Sequence, residues 1–231
     1  MSLLPKAMIR NLLAEVHAVA SDKSKDTEER VKAMNYLADC RYAEDFFDDF
    51  IKIVIDAEDD NEPRYTAAID LAWIHNKIRL KSGADANSEA IEKVRTAFIK
   101  LMRDYMRGAT DCLNLAMHIM GDFRNSDPKV SLDQRSIESI ADDLRDKSNK
   151  ETYRDHVIYW CRTRLTAQDH EYFEFTNATI EIAEDTENGI DIRKSAMLTL
   201  DPVRHKDVLL ALKRDTNVEI KRLAIQMLNH A

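Results

Sequence analysis

The chain has 231 residues, enough for one large domain or two small ones, and a formal net charge of −8. It holds only 4 glycines and 4 prolines, too few for the turns of a β-rich fold, so composition points to helices with short connections. Cys40, Cys112 and Cys161 are far apart and odd in number; they argue against a disulfide framework or a zinc site and read as reduced thiols of a cytoplasmic protein.

The opening MSLLPKAMIRNLLAEVHAVA repeats apolar residues three and four apart and is interrupted by Lys6, Arg10, Glu15 and His17. That predicts an amphipathic helix over 3–20, not a signal peptide, and no later run approaches the ~20 apolar residues of a membrane span. SKDTEERVKAMNYL (24–37) predicts a second helix. A third, over 41–57, carries AEDFFDDF, with Glu44, Asp45, Asp48 and Asp49 on one face. No histidine accompanies these acids, so they read as a solvated surface and not a metal site. FIKIVIDA comes nearest to strand alternation but continues this amphipathic run; strand content is expected to be close to nil. EDDNEPRYTAAIDL (58–71) follows, its EDDNE feeding a helix cap. Further helices are predicted over 87–107, 131–146, 166–184 and 203–214. They alternate with TDCLNLAMHIMGDF (110–123), ETYRDHVIYWC (151–161), ENGIDIRKSAMLTL (187–200) and DTNVEIKRLAIQML (215–228). SLDQ (131–134), SNKE (148–151), TAQD (166–169) and TNVE (216–219) are capping-box candidates. Pro63 and Pro202 suit first helical turns, and Gly83, Gly108 and Gly121 fall at proposed helix ends.

The last two segments repeat each other 28 residues apart, and two earlier ones share their pattern. Position seven is a base (Arg30, Arg64, Arg193, Lys221), position ten alanine (Ala33, Ala67, Ala196, Ala224) and position fourteen leucine (Leu37, Leu71, Leu200, Leu228). Ala116 with Met120, and Arg154 with Val157 and Cys161, are weaker copies. An alanine followed four places later by leucine lies on one helix face, where the small side chain admits a neighbouring helix. The position-seven bases are expected to pair with acids of their own or the next turn, such as Asp26, Asp60, Asp191 and Asp215.

Acid, short gap, Val/Ile, Arg/Lys, two residues, Ala, three residues, Leu: this pattern resembles the second helix of HEAT repeats, in the ARM/HEAT superfamily. The resemblance implies an all-α fold, an α-solenoid of about six helical hairpins and about twelve helices. It forms one domain over 1–231, with second helices lining a concave side and irregular repeats over about 108–165.

HEAT motifs are nearly silent on function. Seven histidines are scattered, His170–Glu171 is a lone His-Glu dipeptide, and no HExxH, GxSxG or Gly-rich phosphate loop occurs. The expected function is a non-catalytic protein–protein interaction module or scaffold that binds a partner on its concave face, without cofactor or metal. An enzymatic alternative is a HEAT-like DNA glycosylase of the alkylpurine type, with Arg154, Asp155 and Trp160 as the catalytic set; Trp73 with Asp70 is a second such grouping. Both tryptophans have apolar sequence neighbours and are expected in the core. A third reading is a structural subunit of a larger assembly. Residues 21–60 carry 13 acids against 6 bases and 187–231 carry 8 bases against 6 acids, which argues against nucleic acid. The expected partner is a protein with an acidic segment, met by Arg193, Lys194, Lys221 and Arg222. With position seven tied up in the stack, Lys194 and Arg222 are the freer charges.

Overall fold

The computed structural model describes residues 6–82, 87–108, 112–126, 132–164 and 172–230. Among them are twelve α-helices, one 3-10 turn and no strand. The leading helices are α1 (Lys6–Ser21), α3 (Phe47–Ile55, entered through the 3-10 turn Ala43–Phe46), α5 (Asn87–Met106), α7 (Gln134–Arg145), α9 (Tyr172–Glu184) and α11 (Lys206–Leu212). They alternate with α2 (Thr27–Asp39), α4 (Asn61–Ser82), α6 (Cys112–Ser126), α8 (Glu151–Arg164), α10 (Ile190–Met197) and α12 (Val218–Asn229). FIKIVIDA is helical through Ile55, as its amphipathic continuation required, and Asp56 ends the helix. No described helix is long and apolar enough to cross a membrane.

The chain divides into two compact units, one of Met1–Leu101 with Asp111–Ser131, the other of Met102–Thr110 with Leu132–Ala231. In the first, α2 packs on α1 and α4, and α4 also packs on α3 and α6. In the second, α9 packs on α7 and α10, α10 on α8 and α12, and α11 on α12. The anchor alanines sit at these contacts: Ala67, Ala116, Ala196 and Ala224 have no exposed surface, and Ala33 is nearly as buried. Leu37, Leu71 and Leu200 fill the next layer, while Leu228 is half-buried.

One device joins helix pairs in both units. At position seven, four arginines are buried, and each donates Nε to the carbonyl ten residues earlier. Arg30 reaches Ala20 at 3.2 Å, Arg64 Val54 at 3.2 Å, Arg154 Leu144 at 2.7 Å and Arg193 Ala183 at 2.9 Å. Those carbonyls end the leading helices and lack intrahelical donors, so the guanidinium closes each helix C-terminus and keeps its terminal nitrogens for a second partner. Arg30 then makes a bidentate pair with Asp59 at 2.6 and 2.7 Å, Arg154 reaches Asn188 at 3.4 Å, and Arg193 pairs with Asp215. Burial alone raises the Asp59 carboxyl, but Arg30 and the Asp60 N–H outweigh it and hold it below the usual carboxylate range. Eight residues before each of these arginines stands an aspartate (Asp22, Asp56, Asp146, Asp185). Each accepts the N–H two residues on, at 2.9–3.0 Å, to shape the same turn. The acid pairing expected for position seven holds at Arg30, through Asp59, and at Arg193, through Asp215; Arg154 meets Asn188 instead, Lys221 is exposed, and neither Asp26 nor Asp60 is the acid that pairs with Arg30.

Several local expectations shift. Asp133 supplies the N-cap oxygen of α7, and Asn217, not Thr216, that of α12, since each stands immediately before its first helical residue; Ser131 lies outside the described residues. Gly121 lies inside α6. Gly108 does end a helix, at φ 95, a left-handed conformation that favours glycine. Pro63 is in the first turn of α4, but Pro202 precedes α11 in a separate turn, where Asp201 accepts the Val203 and Arg204 N–H groups. Gly83, the candidate cap at 166–169 and His170–Glu171 lie outside the described residues.

Candidate functional site

Helix α4 packs against α2, α3 and α6, so an unusually wide sector of it is covered. Ala67, Ala68, Leu71 and Ile74 fill that sector. Asp70 lies in the same sector, one turn after Ala67, and is only 8% exposed. On the open side Ile69 and Trp73, four apart, are 52% and 54% exposed. Trp73 therefore does not belong to the core: its neighbour one turn back, Ile69, is itself at the surface. Trp160 is buried, as expected.

Ile69, Asp70, Ala72 and Trp73 form one wall of a cleft of about 470 Å³, within the usual range for binding pockets. Asn35 and Asp39 enter it from α2, Asn76 from farther along α4, and Asp122 from α6. Its membership follows the repeat. Positions two and six after the anchor alanine are Asn35 and Asp39, Ile69 and Trp73, and His118 and Asp122; five of these six line the cleft, and His118 stands beside Asp122.

The electrostatics are one-sided. Asp70 Oδ2 is buried and accepts no hydrogen bond. Burial, reinforced by the Asp39 carboxylate, pushes the Asp70 pKa up to about 7 against the pull of Lys77. Burial also raises Asp122, against His118 with its Nδ1 4.0 Å away. Lys77 turns along α4: its Nζ donates to the Ala38 carbonyl at 2.5 Å and lies 5.9 Å from the Trp73 ring centroid. A carboxyl titrating near neutrality suits general acid–base work. Yet the lining residues include no serine, cysteine, histidine, lysine or arginine to act with it. Among the described residues no three His, Cys, Asp or Glu side chains stand close enough to hold a metal.

The residues expected to act are placed elsewhere. Arg154 is buried in its helix-joining role. Asp155 is half-buried with an Oδ1 that accepts no hydrogen bond, and Trp160 is closed off from solvent. Arg193 is buried against Asp215. Lys194 is engaged by Glu219 at 2.9 Å and Asp191 at 3.7 Å, so it is not the freer cation its register suggested. Lys221 and Arg222 are exposed. In the acidic cluster, Glu44 pairs with Lys81, Asp48 with Lys93, and Asp49 with His17 and Lys52.

In comparisons with known proteins, no family model, no curated protein and no solved structure matches the chain.

Proposed function

We propose that this protein is a non-catalytic protein-interaction module, a HEAT-like α-solenoid of the cytoplasm that receives its partner in the cleft of its first unit. The observation that carries this reading is the exposed Trp73 beside the buried, unsatisfied Asp70. A large aromatic held at the surface, with a polar group lacking its partner behind it, is how a contact site looks before occupancy. The repeated arginine joint supports the solenoid: each Nε closes its own helix pair, and Arg30, Arg154 and Arg193 reach Asp59, Asn188 and Asp215 in the turn of the next pair. The half-buried Cys40 and buried Cys161, both free, suit a reducing compartment.

The interaction reading is favoured over base excision by the absence of a cation from the lining residues, because a duplex binder must neutralise phosphates where it works. Affinity capture from the native source, read by mass spectrometry with wild-type and Trp73→Ala proteins side by side, tests it. A partner retained by the first and lost by the second is expected. A partner set indifferent to Trp73, or base release from alkylated duplex DNA that depends on Asp155 or Arg154, overturns it.

A further inference from the structure

We infer that the cleft is a receptor for one arginine side chain carried on a basic segment of the partner protein, with Asp70 Oδ2 accepting from the guanidinium and the Trp73 ring covering its face. This rests on the interaction reading above and adds the chemistry of what is bound.

Four observations converge on a cation. Asp39, Asp70 and Asp122 come from three successive second helices and line the same space, with no basic residue among the lining. Asp70 Oδ2 is out of water and receives no hydrogen bond, a cost that a donor supplied from outside removes. Asn35 adds a side-chain carbonyl that can accept a remaining N–H group of a planar fork, while that of Asn76 already accepts from Arg79 Nη2 at 2.9 Å, a guanidinium contact at the rim of the same cleft. Trp73 and Ile69 are each more than half exposed and form an apolar shelf beside Lys77, whose Nζ lies 5.9 Å from the Trp73 ring centroid; the shelf matches the methylene stem and the stacking preference of arginine better than the compact ammonium of lysine. A phosphate-bearing ligand meets three carboxylates, and a divalent ion finds no ligand set of adequate closeness among the described residues.

The test uses the full chain and an array of random heptapeptides, probed with wild-type, Asp70→Asn and Trp73→Ala proteins. Selected peptides are then titrated in solution beside their citrulline isosteres, which keep the shape and lose the charge. The expected result is enrichment of arginine at one position, with binding weakened about tenfold or more by citrulline, by Asp70→Asn and by Trp73→Ala, the scale of one charge-assisted hydrogen bond or stacked cation. Asp70→Asn removes a buried charge, so its loss of binding is separable from misfolding, and a thermal melt of each variant verifies this. Peptides enriched through Trp73 but without arginine overturn the inference and leave the interaction module standing. No enriched peptide overturns both. Methylguanidinium binding as tightly as the peptide assigns the site to a small molecule and overturns the partner segment.

Discussion

Replacing Asp70 with asparagine should stabilise the protein, by an amount that depends on pH. The carboxyl titrates near 7 in the folded chain against 3.8 in a solvated one. Its folded pKa is raised, so the stability of the neutral form is fully present below about pH 4 and is lost as pH rises through 7. Three pKa units at about 1.4 kcal/mol each set an upper value of about 4 kcal/mol, and water entering the cleft lowers this to roughly 2–4 kcal/mol. Asparagine keeps the shape and carries no charge. Its advantage over aspartate should be small near pH 4, grow across pH 4–7 and stay level above. Urea unfolding of both proteins at pH 4.5, 6 and 8 gives the difference directly, and comparison across pH cancels any fixed cost of burying the new amide. The charged groups around Asp70 are Asp39 from α2, Lys77 on α4, and Asp122 with His118 from α6; because the Asp39 carboxylate helps to raise Asp70, Asp39→Asn serves as a control that should shift the Asp70 midpoint downward. Equal stability of wild type and Asp70→Asn at pH 8, or a gain that is the same at pH 4.5, refutes the reasoning.

The arginine joint predicts that Arg30→Ala costs about 3–5 kcal/mol, because it strands the buried Asp59 carboxylate, whereas Arg30→Met with Asp59→Leu costs far less; chemical denaturation of the single and double variants distinguishes the two. Ala196 has no exposed surface, so Ala196→Leu should destabilise by about 1–3 kcal/mol through overpacking, seen as a lower melting temperature. If an acidic segment also docks on the C-terminal end, the contact falls to the exposed Lys221 and Arg222; their double reversal to glutamate should weaken partner capture and flatten its salt dependence while the fold persists.

Helix placement was legible because apolar spacing of three and four survives in nearly every segment, and the anchor alanines marked the contacts. What escaped was decided by backbone and by rotation about the helix axis. The carbonyls of Ala20, Val54, Leu144 and Ala183 bond the arginines, and no side-chain pattern reports a main-chain acceptor ten residues away. Trp73 was misplaced because adjacency to Ala72 says little when each residue turns about 100° further round the helix; Ile69, four back, shares its side and is open. Asp70 enters the sequence reading only beside Trp73, as a second candidate grouping for base excision. Its burial comes from the three helices that flank α4, which is tertiary information. The cleft itself was latent in the repeat, at position six after Ala33, Ala67 and Ala116, where Asp39, Trp73 and Asp122 stand in register.

The two tryptophans make occupancy of the cleft directly readable, since Trp160 is buried and Trp73 is exposed. In a Trp160→Phe protein, Trp73 is the one remaining indole, and acrylamide quenching of its emission reports its access to water. On addition of the captured partner the emission is expected to move to shorter wavelength and become shielded from quencher, with Asp70→Asn weakening the response. A complex that forms at full stoichiometry while Trp73 stays as quenchable as in the free protein contradicts the assignment of this cleft as the binding site.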